Sequence, residues 1–216
     1  MLNVIQQYLK KIVKSQYYSK FINKEVINRL MDRLEYINLE PKLVIIFSFN
    51  NDLEKNIKKR YTSSRIINLF SIKDNGSVHE KINRILLDNS VDLVVIDFSI
   101  NWNQNIYNLL KEIQRVSKNN TIFIYSSIND ISINNNILNN KIIDHYKFNN
   151  VLIKSEFKNI VSDNSILNLS YTTYYKFFLD VVSSGLFLIG TIKLGKINTP
   201  ISMCISVNFG YCTVKK

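Results

Sequence analysis

The chain has 216 residues, enough for one domain with a substantial core and too few for two domains of ordinary size. Hydrophobic residues make up 46% and charged residues 21%, a balance that excludes global disorder. The formal net charge of +11 fits either an acidic partner or lysines scattered over a solvated surface. No nucleic-acid motif accompanies the lysines, so nucleic-acid binding is not expected.

Cysteine and histidine are scarce, which bears on metal binding and on redox environment. Cys204 and Cys212 have no second cysteine pair or histidine cluster to complete a zinc site, so no metal is predicted. The N-terminus carries lysines where a secretory signal would have an apolar core, and the uncharged run 181–192 is too short to span a bilayer. These features predict a cytoplasmic protein with free thiols and no membrane association. We expect it to be a monomer.

Helices and strands are predicted to alternate along the first 125 residues. Short continuous runs rich in β-branched residues are typical of strands buried on both faces of a parallel sheet, and they lie at 43–47, 66–70, 91–98 and 121–125. Helices are predicted from apolar spacing and capping residues at 2–18, 24–37, 51–61, 77–88 and 105–117. The alternation predicts right-handed crossovers and a doubly wound, mostly parallel α/β sheet.

After the fourth predicted strand the alternation stops. Residues 126–140 are polar and rich in Asn, and we interpret them as an irregular excursion over the carboxyl edge of the sheet. Helices are predicted over 144–156 and 171–184. Two further strands, 160–169 and 200–209, are predicted to pair antiparallel at one edge.

The segment 92–125 reads DLVVIDFSINWNQNIYNLLKEIQRVSKNNTIFIY. It resembles the stretch of Class I S-adenosylmethionine-dependent methyltransferases in which a strand leads through a Trp-bearing loop into a helix ending E-I-x-R-V-L-K. Here Trp102 lies in the loop, Glu112 and Arg115 lie near the helix end, and Asn119-Asn120 replaces the usual Pro-Gly-Gly turn. The resemblance implies that fold, with N-terminal helices and an antiparallel edge strand. The interval between 70 and 92 is short for the family, which implies that a short edge strand is missing.

Among these enzymes the chain is most similar to the malonyl-acyl-carrier-protein O-methyltransferase of biotin synthesis. The stretch NRLMDRL at 28–34, followed by Pro41-Lys42, is similar to that family's approach to its first strand. The terminal run 200–212 resembles the family's closing strand. The resemblance implies one domain over 1–216. Its parts are an N-terminal helical lid (1–40), a nucleotide-binding core (41–127) and a substrate side with C-terminal strands (128–216).

The resemblance also implies a reaction. S-adenosylmethionine would methylate the free carboxyl of malonyl-acyl carrier protein, with the acidic acyl carrier protein as partner. The implied cofactor-binding residues are Ser48, Asn50, Ser71 and Asp97. The implied substrate-binding residues are Tyr17, Tyr18 and Trp102. No catalytic residue is implied, because a carboxylate is already a competent nucleophile at neutral pH and positioning can carry the rate.

Each of these assignments has a structural alternative. The two tyrosines could pack a helix, Trp102 could anchor its loop, and Asp97 could cap a helix. Arg115 fits a favourable charge at a helix C-terminus better than a functional role.

Two departures from the family concern the cofactor. The glycine-rich turn D-L-G-C-G-T-G is replaced at 46–52 by a run without glycine that contains Phe49. The acid that binds the ribose hydroxyls is replaced by Phe70, and losing a charged acceptor weakens binding by roughly 1.5–3 kcal/mol. Two hypotheses follow: a methyltransferase with a relaxed cofactor site, or a catalytically decayed protein that acts as an interaction or assembly factor. A basic nucleic-acid binder ranks behind both.

Overall fold

The computed structural model describes residues 21–48, 50–70, 77–102, 105–134, 136–137, 145–184, 186 and 200–215. The helices are α1 (Phe21–Glu35), α2 (Asn51–Arg60), α3 (Val78–Ile85), α4 (Ile106–Val116), α5 (His145–Lys154) and α6 (Tyr174–Ser183). The strands are β1 (Leu43–Phe47), β2 (Arg65–Asn68), β3 (Val91–Ile96), β4 (Ser117–Ile133), β5 (Asn136–Ile137), β6 (Phe157–Tyr171) and β7 (Ile201–Val214). The predicted helix 2–18 lies outside the described residues.

The strands form one sheet in the order β2-β1-β3-β4-β7-β6, with β5 paired to the tip of β4. The pairings β1–β2, β1–β3 and β3–β4 are parallel, whereas β7 is antiparallel to both β4 and β6. The predicted doubly wound α/β sheet with antiparallel strands at one edge is confirmed. Within the described ranges β2 is the outermost strand on its side, and the interval 71–76 lies outside them.

Helices cover both faces of the sheet because successive residues of a buried strand point to opposite sides. Val44 and Ile46 of β1 pack with α1, α2 and α6 in one core, while Ile45 and Phe47 pack with α3, α4 and α5 in the other. All four of these side chains are essentially inaccessible to solvent. The uninterrupted apolar run of β1 is therefore the signature of a strand between two helical layers.

The helix starts follow capping chemistry that the sequence carries. The side chain of Asn50 accepts a hydrogen bond from the Asp52 N–H at the start of α2. Ser77 and Glu80 form a capping box at the start of α3. The side chain of Asn105 caps α4 by accepting a hydrogen bond from the Asn108 N–H at 3.3 Å.

The interpretation of residues 126–140 as an irregular excursion is wrong for its first half. β4 continues without a break to Ile133, paired antiparallel with β7. A bulge between Ile128 and Asp130 shifts the alternation by one residue, which hides the period of two that would identify a strand. The buried side chains on either side of the bulge include Ile128 and Ile131.

Gly210 is required where β7 crosses beneath the ring of Tyr125. A Cβ atom at position 210 would lie 2.5 Å from the Tyr125 hydroxyl oxygen and 2.9 Å from the Val161 carbonyl oxygen. Tyr125 is fully buried and packs edge-on against Phe148, so its ring has little room to move. The glycine thus lets an aromatic side chain lie flat across the antiparallel strands.

Candidate functional site

The carboxyl ends of β1, β2 and β3 meet at one edge of the sheet. From β1, the chain proceeds outward to β2 and then returns to the other side of β1 to form β3. This reversal of direction is a topological switch point, and in open α/β sheets ligands bind in the crevice outside the carboxyl ends of the strands at such a point. The residues that follow or end the three strands are Ser48, Asn68 and Asp97.

Three of the predicted cofactor residues come together at this edge. Ser48, directly after β1, donates its hydroxyl to the carboxylate of Asp97, directly after β3. The Asn50 N–H donates to the Ser48 Oγ at 2.9 Å. The Asp97 N–H donates to the Phe47 carbonyl at 3.4 Å. Ser48 is buried, whereas Asp97 keeps part of its surface exposed.

Asn50 has an unusual hydrogen-bonding state. Its residue surface is only 6% exposed, and its Oδ1 is used at 2.9 Å to cap α2. Its Nδ2 is buried and has no hydrogen-bond partner among the described residues. Because an unpaired buried donor costs about 1–3 kcal/mol, such a group in a native structure calls for an explanation. One explanation is a ligand that supplies an acceptor.

Asn68 at the end of β2 escaped the sequence analysis, which aligned Phe70 with the family's ribose-binding acid. Its Nδ2 donates to the Ser48 carbonyl at 3.1 Å and to Glu54 Oε2 at 3.2 Å, and its Oδ1 accepts from the Phe70 N–H at 3.2 Å. Asn68 is buried, so these bonds hold the turns after β1 and β2 together. The signal that the sequence offered for this residue was a single Asn at the end of an otherwise apolar strand.

Glu54 is the second residue that the sequence analysis missed. It lies in the first turns of α2, and its Oε1 accepts a hydrogen bond from the Lys58 ammonium at 2.6 Å. Its side chain is 20% exposed, so the carboxylate is within reach of a ligand. The contact between Glu54 and Asn68 places this carboxylate at the end of β2.

The other predicted site residues are distributed differently. Tyr17, Tyr18 and Ser71 lie outside the described residues, as does Phe49. Trp102 is the last residue of the 3-10 helix Phe98–Trp102 that follows β3. Its side chain lies outside the described part of the chain.

The 3-10 helix takes the place of β3 beside the extension of β4. Asn101 accepts from the Ile128 N–H at 2.9 Å and donates to the Ile128 carbonyl at 3.1 Å. One side chain thus satisfies both backbone groups of a strand residue that has passed the end of its neighbour.

Arg115 links α4 to α3 and to the segment that precedes β3. Its guanidinium contacts Glu112 at 2.9 Å and forms an ion pair with Asp88. Its Nη2 donates to the Asn83 Oδ1 of α3 at 2.5 Å. These contacts support the structural interpretation of Arg115 over a functional one.

A pocket of about 290 Å³ lies at the tip of the antiparallel strands, away from the switch point. It is lined by Ser132, Asn168, Leu169, Ser170, Ser202, Met203 and Cys204. All of these side chains are uncharged.

No group of three or more His, Cys, Asp or Glu residues suited to a metal ion occurs in the described part of the chain. In those same ranges no helix combines the length and the hydropathy needed to cross a bilayer.

Comparison with known proteins identifies a fold rather than a family. No protein-family model matches the sequence, and no curated protein matches it significantly. Solved structures do match. Haemonchus contortus phosphoethanolamine N-methyltransferase 2, in complex with phosphomonomethylethanolamine and S-adenosylhomocysteine, has a TM-score of 0.55 at 8% identity. The match covers 97% of this chain and 57% of that one, so this chain spans little more than half of that enzyme's length.

Two shorter proteins match over most of their length. A putative methyltransferase from Bacillus halodurans has a TM-score of 0.54 at 8% identity, with 89% of this chain and 100% of that chain covered. A SAM-dependent methyltransferase from Archaeoglobus fulgidus has a TM-score of 0.52 at 13% identity, with 88% and 93% covered. At such identities the similarity establishes architecture alone. The chain has the fold of the Class I methyltransferases, and the switch-point edge is its candidate ligand site.

Proposed function

We propose that this chain is an S-adenosylmethionine-dependent methyltransferase that holds its cofactor at the carboxyl edge of β1, β2 and β3. The fold supports the class of reaction, but a fold alone does not fix a function. The observation that carries the proposal is the buried Asn50 Nδ2, which has no hydrogen-bond partner within the described ranges and belongs to the turn between β1 and α2.

The polar groups at this edge fit the cofactor's own. S-adenosylmethionine presents a carboxylate, an ammonium group and two ribose hydroxyls, and when bound it supplies an electrophilic methyl group on its sulfonium centre. Asn50 Nδ2 offers a donor for the carboxylate, and the N-terminus of α2 favours negative charge nearby. Asp97 and Glu54 offer acceptors for the ammonium and hydroxyl groups. Donors and acceptors are therefore both present without a glycine-rich turn.

The chain's own residues would act by binding and orientation. Ser48 holds the carboxylate of Asp97 in place across the ends of β1 and β3. Asn68 fixes the turn after β1 through the Ser48 carbonyl. A rigid edge of this kind reduces the motion that must be lost when the donor and acceptor are aligned for transfer.

For the acceptor we propose the free carboxyl of malonyl-acyl carrier protein, as in the first step of biotin synthesis. The support is the sequence resemblance at 28–34, 92–125 and 200–212, together with the net charge of +11, which favours approach of an acidic carrier protein. A carboxylate acceptor needs positioning and charge neutralisation more than a general base.

Calorimetric titration with S-adenosylhomocysteine tests the cofactor proposal. The Asn50→Asp substitution keeps the oxygen that caps α2 but replaces the unpaired donor with an acceptor. We expect roughly tenfold weaker binding, about 1.4 kcal/mol, with unfolding midpoints measured alongside to show that the fold is kept. The control is Asn105→Asp, the same change at an exposed helix cap, that of α4. No heat with millimolar ligand in the unsubstituted protein would refute the proposal.

Complementation tests the acceptor. If the chain methylates malonyl-acyl carrier protein, its gene should restore biotin-independent growth to a strain lacking that methyltransferase. Cofactor binding without rescue would refute the acceptor and leave the cofactor proposal standing.

One observation favours a second candidate, a non-catalytic interaction or assembly factor. The turn after β1 is closed by its own side chains, because the Ser48 hydroxyl and the Asn68 amide are both engaged in internal hydrogen bonds. Recovery of a stable partner complex, together with absent cofactor binding, would favour this candidate.

A further inference from the structure

We propose that Glu54, a residue of helix α2, is the carboxylate that binds the vicinal hydroxyls of the cofactor's ribose. The inference rests on the proposed function and deepens it by naming a ligand group and its partner. It follows from the residue type at the end of β2, which is an amide in this chain.

The end of β2 carries no acid of its own. β2 ends at Asn68, whose register partner is Ile46 near the end of β1. Asn68 is 4% exposed, and its amide is engaged with the Ser48 carbonyl, Glu54 and the Phe70 N–H. With these hydrogen bonds the Asn68 side chain links the turns after β1 and β2. Recognition of the ribose therefore falls to a neighbouring residue.

Glu54 supplies the missing charge from the adjacent element. Its Oε2 lies 3.2 Å from the Asn68 Nδ2, so the carboxylate reaches the end of β2 although its backbone belongs to α2. A carboxylate has two oxygens with about four lone-pair sites. Lys58 uses one site on Oε1 and Asn68 uses one on Oε2, which leaves capacity on each oxygen for one hydroxyl proton. Two adjacent acceptors match two adjacent hydroxyls.

Two other carboxylates near this edge, both among the described residues, have other positions. Asp97 follows β3 and accepts from Ser48, on the far side of β1 from β2. Asp52 precedes Glu54 by two residues on α2, its side chain is 42% exposed, and it pairs with Lys55 at 3.3 Å. Asp52 is therefore a matched control for Glu54, with the same charge on the same helical turn.

The experiment compares two ligands and three proteins by calorimetry. The ligands are S-adenosylhomocysteine and its 2′-deoxyadenosyl analogue, which lacks one of the two hydroxyls. The proteins are the unsubstituted chain, Glu54→Gln and Asp52→Asn. We expect Glu54→Gln to weaken S-adenosylhomocysteine binding by roughly tenfold to a hundredfold, and to weaken binding of the deoxy analogue, which keeps one hydroxyl for Glu54, by a smaller factor of about threefold to tenfold. Asp52→Asn should leave both affinities within about twofold.

The other outcomes separate the hypotheses. Equal weakening of both ligands by Glu54→Gln would mean that Glu54 acts only by holding Asn68, and it would overturn the assignment. Unchanged binding by Glu54→Gln would overturn it as well, with the proposed function intact. If the unsubstituted chain binds neither ligand, the proposed function and this inference fail together. Unfolding midpoints for all three proteins show whether the substitutions leave the fold intact.

Discussion

The two halves of the sheet are built on different principles. In the parallel half, β1, β2 and β3 have four to six residues, and β1 and β3 are buried on both faces. In the antiparallel half, β4, β6 and β7 have 14 to 17 residues, and β6 in particular alternates buried with exposed side chains. Short parallel strands leave their carboxyl ends open for polar side chains, and long antiparallel strands do not. The candidate site accordingly lies in the parallel half, and the antiparallel half supports it.

β4 belongs to both halves, so it decides whether they behave as one unit. Its first residues pair parallel with β3, whereas its later residues pair antiparallel with β7 and, at the tip, with β5. Asn101 takes the place of a neighbouring strand at Ile128. The predictions below separate the contribution of each half.

Truncating Phe123 should have the largest effect, because it lies on β4 between Val94 of β3 and Cys212 of β7, where the two halves meet. Phe123 is fully buried on β4, with ring centroids 5.5 Å from Tyr125 and 5.3 Å from Phe157 of β6. We expect Phe123→Ala to lower the free energy of unfolding by about 3–5 kcal/mol. Urea unfolding followed by two spectroscopic probes measures the loss. Coincident transitions would show that the halves unfold together.

The control for this truncation is Tyr36→Ala. Tyr36 is 91% exposed, so its removal should change the free energy of unfolding by less than about 0.5 kcal/mol. A loss below about 1 kcal/mol for Phe123→Ala would contradict the packing described here.

Adding a methyl group at Gly210 tests the antiparallel half alone. The new Cβ would overlap the Tyr125 hydroxyl and the Val161 carbonyl, so Gly210→Ala should cost about 2–3 kcal/mol. A double-mutant cycle with Tyr125→Leu removes the larger of the two overlaps. The cost of Gly210→Ala should fall in that background, and an unchanged cost would show that Tyr125 does not set the requirement for glycine.

Acid titration of Asp92 tests the parallel half. Burial alone would raise the pKa of Asp92, but the Lys118 ammonium and the N–H groups of Leu43 and Lys42 outweigh it and hold the pKa below its usual 3.8. Its stabilising contribution is therefore present above pH 3.8 and is lost as the pH falls through the lower folded value. Asp92→Asn should flatten the fall of the urea midpoint below pH 3.8. A curve parallel to that of the unsubstituted protein would contradict this.

Asp180 should contribute to the pH dependence of stability with the opposite sign. It is fully buried on α6, where it accepts from the Tyr171 hydroxyl at 2.7 Å and from the Ile22 N–H at 3.3 Å. Burial raises its pKa above 3.8 despite these donors. Its contribution to stability therefore rises as the pH falls through the raised folded value toward 3.8. Asp180→Asn should remove this rise from the pH dependence of the urea midpoint above pH 3.8, whereas Asp92→Asn should leave it in place.

Local signals were sufficient where one element carries its own pattern. The apolar run of β1 predicted a strand buried on both faces, and the helix predicted at 77–88 begins within one residue of the observed start of α3, because strand burial and helix periodicity are encoded within a few residues. The strand at 126–133 was missed for the opposite reason. Its hydrogen-bond partners are about 75 residues away in β7, and the bulge after Ile128 breaks its period.

The candidate site was predicted in part. The resemblance implied Ser48, Asn50 and Asp97 as cofactor-binding residues, and the structure brings them together at one edge, where their binding role stays a prediction. Glu54 and Asn68 were not identified, because their relation is a contact between a helix and a strand 14 residues apart that no spacing rule predicts.

The amino-acid sequence by itself determined the layered α/β architecture, since the positions of apolar and capping residues dictate which segments are strands and which are helices. Only the tertiary structure decided where the polar groups of the switch-point edge lie relative to one another. The physical reason is that a hydrogen bond tolerates deviations of only a few tenths of an ångström in the donor–acceptor distance. Only the packing of β1, β2 and α2 against each other sets these distances to that accuracy.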